Sequence, residues 1–99
     1  MKINSITVIG RRWFDSVNGN TYHSAEIFVN NEFYKKVDCK YGYGDHYLQS
    51  AYELLITDKV LKDVKKYVNG STEVFWSYCD RKKISQISTV SDVKRKKDL

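Results

Sequence analysis

The stretch "TYHSAEIFVNNEFYKKVDC", residues 21–39, decides the fold. In 21–29, Ala25, Ile27 and Val29 alternate with Tyr22, Ser24, Glu26 and Phe28, the period of a half-buried strand. Asn30-Asn31 follows, and Asn accepts positive φ better than most residues, so the pair predicts a two-residue hairpin turn. Residues 32–39 then read as a second strand, with Phe33, Lys35, Val37 and Cys39 on one face and Tyr34, Lys36 and Asp38 on the other. Upstream, "SITVIGRRWF" at 5–14 is rich in β-branched and aromatic residues, with Ile6 and Val8 sharing a face. The loop "DSVNGN" at 15–20 carries the turn pair Asn18-Gly19. Together these segments predict a three-stranded antiparallel meander.

Downstream, "YGYGDHYLQ" at 41–49 must end a strand and start a helix within a few residues, which glycine permits. Leu48, Ala51, Tyr52 and Leu55 are spaced i, i+3, i+4 and i+7, predicting a helix over 45–56 with Asp45 as its N-cap. Val60, Leu61, Val64 and Val68 suggest a second helix over 58–68, capped by Thr57 or Asp58 and ended by Asn69-Gly70. "STEVFWSYC" at 71–79 reads as a strand and "KISQISTV" at 83–90 as a further one. The remainder has too little apolar surface to order itself. The expected architecture is therefore α+β: one domain over 1–90 and a mobile basic tail over 91–99. Its core would hold Ala25, Ile27, Val29, Phe33, Val37, Leu48, Ala51, Leu55, Val60, Leu61 and Val64.

Composition narrows the function. The 99 residues suffice for one modest domain, yet include eight Tyr, four Phe and two Trp and no Pro. No apolar run approaches the roughly 20 residues of a membrane span, and the start "MKIN" is not of signal-peptide type. A cytoplasmic protein with no membrane partner is expected. Cys39 and Cys79 then read as free thiols, and with His23 and His46 they show none of the spacings of a zinc site. No phosphate loop or nucleophile elbow is present, and a His near some carboxylate is common in any small domain, so the expectation is a non-catalytic protein without cofactor or metal. Of 17 Lys and Arg, seven lie in 81–99, against only two of the 12 Asp and Glu, so the net charge of +5 falls on that segment.

Three motifs resemble a group of small, mostly uncharacterised tailed-bacteriophage proteins. They are Arg12-Trp13-Phe14, then Gly19-Asn20-Thr21-Tyr22-His23-Ser24, then Tyr41-Gly42-Tyr43-Gly44 followed by Tyr47-Leu48-Gln49 and Ala51. The resemblance spans residues 6 to about 55. It implies an accessory protein made in the cytoplasm of a bacterial host, and it carries no catalytic assignment.

A meander brings the end of strand one, the start of strand two and the end of strand three to one edge. Arg11, Arg12, Trp13, Tyr22 and His23 are thus expected beside Tyr41, Tyr43 and His46, with the first turn of the helix aimed at the same rim. Cations, ring faces and a helix N-terminus suit a phosphate backbone, although Asp45 would compete for those donors. Lys94, Arg95, Lys96 and Lys97 would add salt-dependent attraction. The competing view is a packed corner, in which Tyr41 and Tyr43 cover strand ends and the arginines are merely solvated. Two functional classes follow: binding of nucleic acid, or a nucleoprotein complex, with little sequence specificity; or inhibition of a host defence or replication complex by protein binding, with Phe28 and Tyr34 as anchors. A homodimer through exposed strand edges is a further option.

Overall fold

The computed structural model describes residues 2–99. Strands β1 (Ser5–Asp15), β2 (Asn20–Val29) and β3 (Glu32–Tyr41) form the antiparallel meander, and helix α1 spans His46–Thr57. Helix α2 (Phe75–Arg81) and strand β4 (Ser85–Val93) follow, then a short 3-10 turn over Lys96–Asp98. The sheet order is β3-β2-β1-β4, with β4 running parallel to β1. The protein is therefore α+β, with a mixed four-stranded sheet and two helices. No helix among the described residues is long and apolar enough to cross a membrane.

Strand alternation gives the sheet two unlike faces. Ile6, Val8 and Gly10 of β1 lie opposite Val29, Ile27 and Ala25 of β2, and all are buried. Tyr47, Ala51, Tyr52 and Leu55 of α1 complete this core with Leu61, Phe75, Tyr78, Cys79 and Ile84. Gly10 is required here: a Cβ at this position would lie 2.5 Å from the Tyr47 ring. The helix thus rests directly on the backbone of β1. Among the described residues, the opposite face of the sheet carries no α-helix.

Several expectations are corrected. No helix forms over 58–68, because Lys59 and Asp63 adopt positive φ (60° and 62°), which breaks helical continuity. This segment is pinned by polar contacts instead. The Tyr78 hydroxyl donates to the Lys62 carbonyl (2.7 Å) and the Tyr52 hydroxyl to that of Glu73 (2.5 Å). Glu73, almost fully buried, accepts two hydrogen bonds from the Arg81 guanidinium at 2.9 and 2.8 Å. The Arg81 hydrogen bonds lower its carboxyl to about 2. Residues 71–79 hold no long strand: a single bridge joins Lys66 to Thr72, and α2 begins at Phe75. The strand expected at 83–90 is β4, which continues through Ser91–Val93, so the strand claims the first three residues assigned to a mobile tail.

Phe33 leaves the core list, being 57% exposed. A register shift moves the pairing from Ile27↔Lys35 to Phe28↔Phe33, so the extra residue sends Phe33 to the open face, ring to ring with Phe28. Leu48, Val60 and Val64 are half-buried at the core's margin. Cys39 is exposed and Cys79 buried, both as free thiols.

Candidate nucleic-acid interface

On the open face, β1, β2 and β3 each contribute a ring at the same level. Trp13 pairs with Tyr22, and Tyr22 with Tyr41. The Trp13 and Tyr22 ring centres are 5.9 Å apart with planes 26° from parallel. Those of Tyr22 and Tyr41 are also 5.9 Å apart, edge to face at 73°. Val93 of β4 sits opposite Trp13 and extends the row.

One level along, Arg11 forms an ion pair with Glu26, and Glu26 lies opposite Lys36 of β3. Lys36 Nζ is 3.6 Å from the Asp38 carboxylate and donates to the Leu99 carbonyl oxygen at 2.9 Å. Within the same strip the Ser24 hydroxyl is buried and has no hydrogen-bond partner among the described residues. Farther along, Phe28, Phe33 and Ile87 form an apolar end, with Phe33 and Ile87 exposed.

The expected rim therefore divides between two faces. Arg11, Trp13, Tyr22 and Tyr41 share the open one. Arg12, one residue on from Arg11, points to the helix-covered side. Its Nε donates to Asp92 at 2.9 Å and its Nη1 to the Gly44 carbonyl at 3.3 Å, at a cleft of about 340 Å³ that also includes Phe14, Thr21 and Val93.

His23 is fully buried on that covered side and presents nothing to a ligand. One ring nitrogen, Nδ1, lies 3.1 Å from the Gly42 carbonyl and so carries the proton; Nε2, 2.7 Å from Ser50 Oγ, accepts from that hydroxyl. Burial pushes the His23 pKa down, partly offset by the Gly42 hydrogen bond, and His46 and Lys40 lower it further. A neutral His23 thus ties β2 to α1 and to the 41–44 turn. The His46 ring lies 5.2 Å from that of His23, and it also explains Gly42: with φ 152°, a Cβ there would lie 2.5 Å from His46 Nδ1.

Tyr43 is 75% exposed in the same turn. Asp45 occupies the N-cap position of α1 but makes no side-chain capping bond. Because α1 packs on the covered face, its first turn does not address the ring row. Tyr34, expected as a surface anchor, is instead tied through its hydroxyl to Asp58 at 2.7 Å. Glu26 and Lys36 were not counted as site residues, although the alternation that places Tyr22 on the open face places them there too.

After Val93, the last residue paired with β1, the basic segment 94–97 follows, and the Leu99 carbonyl accepts from Lys36 of the open face. Arg95 is held by Asp98 through Nε at 3.1 Å and Nη2 at 3.3 Å. The fold and site define an α+β protein with one helix-covered sheet face and one open, aromatic and basic face. No known family model, curated protein or solved structure matches the chain.

Proposed function

We propose that this is a small phage-type accessory protein that binds single-stranded nucleic acid, with little sequence preference, across the open face of its sheet. The observation that carries this reading is the row Trp13–Tyr22–Tyr41, three rings on adjacent strands at 5.9 Å spacing, flanked by Arg11, Lys36 and the basic segment 94–97. Every base has a π-face, so stacking on such a row tolerates any sequence. A duplex hides those faces in its own stack, which favours single strands. The surplus of positive charge on 81–99 supplies attraction to phosphates.

The test is fluorescence anisotropy with labelled oligo-dT, oligo-rU and duplex DNA at low salt. Single strands should bind best. Since stacking is worth about 1–3 kcal/mol per base, Tyr41→Ala should weaken binding about 5- to 150-fold. Absence of binding to any polynucleotide at low salt would reject the reading.

A second reading, inhibition of a host defence or replication complex by protein binding, is favoured by two separate apolar exposures: the Phe28–Phe33–Ile87 end of the sheet and Trp76 on α2, 69% exposed. Exposed Trp and Phe are common anchors of protein interfaces. Affinity purification from infected cells, with and without nuclease, separates the two: a partner retained after nuclease supports the second.

A further inference from the structure

We propose that residues 94–99 form a displaceable strap over the open face, tied down through Lys36, and that nucleic acid binds by taking over Lys36 and drawing the cations of the strap onto its phosphates. This inference rests on the nucleic-acid reading above.

The path of the chain is the first argument. β1 and β2 lie between β4 and β3 in the sheet. The chain leaves β4 after Val93, and the Leu99 carbonyl accepts from the Lys36 side chain of β3, so 94–99 heads from the β4 edge across the sheet toward β3. Three strand spacings come to roughly 14 Å, and six extended residues reach about 20 Å. That slack accommodates the 3-10 turn over Lys96–Asp98. Lys36 and Trp13 belong to the open face, so the crossing runs over that face. Trp13 and Tyr22, on the two intervening strands, are half-buried, whereas Tyr41 on β3 is 61% exposed.

The chemistry of the crossing is the second argument. The strap gives one oxygen to a cation of the sheet, the Leu99 carbonyl to Lys36, and holds a cation of its own, Arg95, on the Asp98 carboxylate. On the sheet itself, Glu26 occupies Arg11. Asp15, at the end of β1, has its carboxyl lowered chiefly by the Asn18 side chain, with Lys96 of the strap adding a smaller pull. Phosphate oxygens satisfy the same donors. Each of these contacts is at least partly exposed and weak taken singly, so a polyanion that offers many phosphates at once can replace them together.

The test compares the wild-type protein with Asp98→Asn and with a chain shortened to residues 1–93. Oligo-dT affinity is read by anisotropy. Acrylamide quenching of Trp13 is read in a Trp76→Phe background, so that Trp13 is the only Trp. Releasing Arg95 from one exposed ion pair should tighten binding by Asp98→Asn about two- to fivefold. Shortening the chain should raise the quenching of Trp13. Equal or weaker binding by Asp98→Asn, or unchanged quenching, overturns the strap. If the wild-type protein still binds oligo-dT in that experiment, the reading beneath it stands. If no variant binds, both fall.

Discussion

Replacing Lys94, Arg95, Lys96 and Lys97 together by Gln should flatten the salt dependence of oligo-dT binding by a calculable amount. Among the described residues, Lys94, Lys96 and Lys97 have no ion-pair partner within 4.0 Å, and Arg95 is partly neutralised by Asp98. The segment therefore contributes between three and four cations. For a single strand the slope of log affinity against log salt is about −0.7 per phosphate neutralised, so the variant should lose about 2 to 3 from the slope. Between about 50 and 200 mM salt this means the wild-type protein loses some 20- to 50-fold more affinity than the variant. The measurement is a series of anisotropy isotherms across that range, with circular dichroism to show that the variant is folded. The ring variant Tyr41→Ala is the control, since stacking is not ionic: it should lower affinity at every salt concentration and leave the slope unchanged. A quadruple variant with the wild-type slope would refute the assignment of 94–97 to phosphate contact, even if binding itself persisted.

Two further outcomes concern the fold that presents the site. Gly10→Ala places a methyl 2.5 Å from the buried Tyr47 ring on a strand paired on both sides, and should cost about 1–3 kcal/mol, a fall of roughly 5–20 °C in Tm by calorimetry; Tyr47→Leu in the same chain should restore part of it. Stability in urea should decline with acid in two limbs. His23, its folded pKa below 6.5, contributes stability that is complete above that value and lost as pH falls below it, while Glu73 does the same from 4.5 down to about 2, and Arg81→Leu should remove only the second limb.

The meander and α1 were legible because each has one dominant period. Ala25, Ile27 and Val29 alternate, and Ala51, Tyr52 and Leu55 recur at helical spacing, with nothing competing for either pattern. The segment 58–81 carries both periods at once. Val60, Leu61 and Val64 look helical, but the backbone turns to positive φ at Lys59 and Asp63. Phe75 to Cys79 is apolar enough to read as alternating, whereas the buried set is Phe75, Tyr78 and Cys79, spaced i, i+3 and i+4. β4 was only partly legible because an edge strand has one neighbour and needs little apolar surface. Its sequence Ser85–Val93 is mostly polar, and its parallel pairing to β1 is a tertiary fact that no local pattern carries.

The candidate site was legible in its residues but not in its geometry. Gathering strand ends at one edge correctly brings Trp13, Tyr22 and Tyr41 to a common level, but an edge has two sides, and the pleat assigns neighbours to opposite ones. That rule separates Arg11 from Arg12 and Tyr22 from His23, so each adjacent pair divides its labour. Arg12 and His23 hold β4, the 41–44 turn and α1 in place, through Asp92, Gly44, Gly42 and Ser50. Arg11 and Tyr22 are left to the surface. The consequence is a sharp asymmetry between residues that look equivalent in the sequence. Substituting Arg12 or His23 acts through stability and would impair any function the protein has. Substituting Arg11 or Tyr22 acts at the open face, where a loss of binding without a loss of stability is diagnostic of the interface.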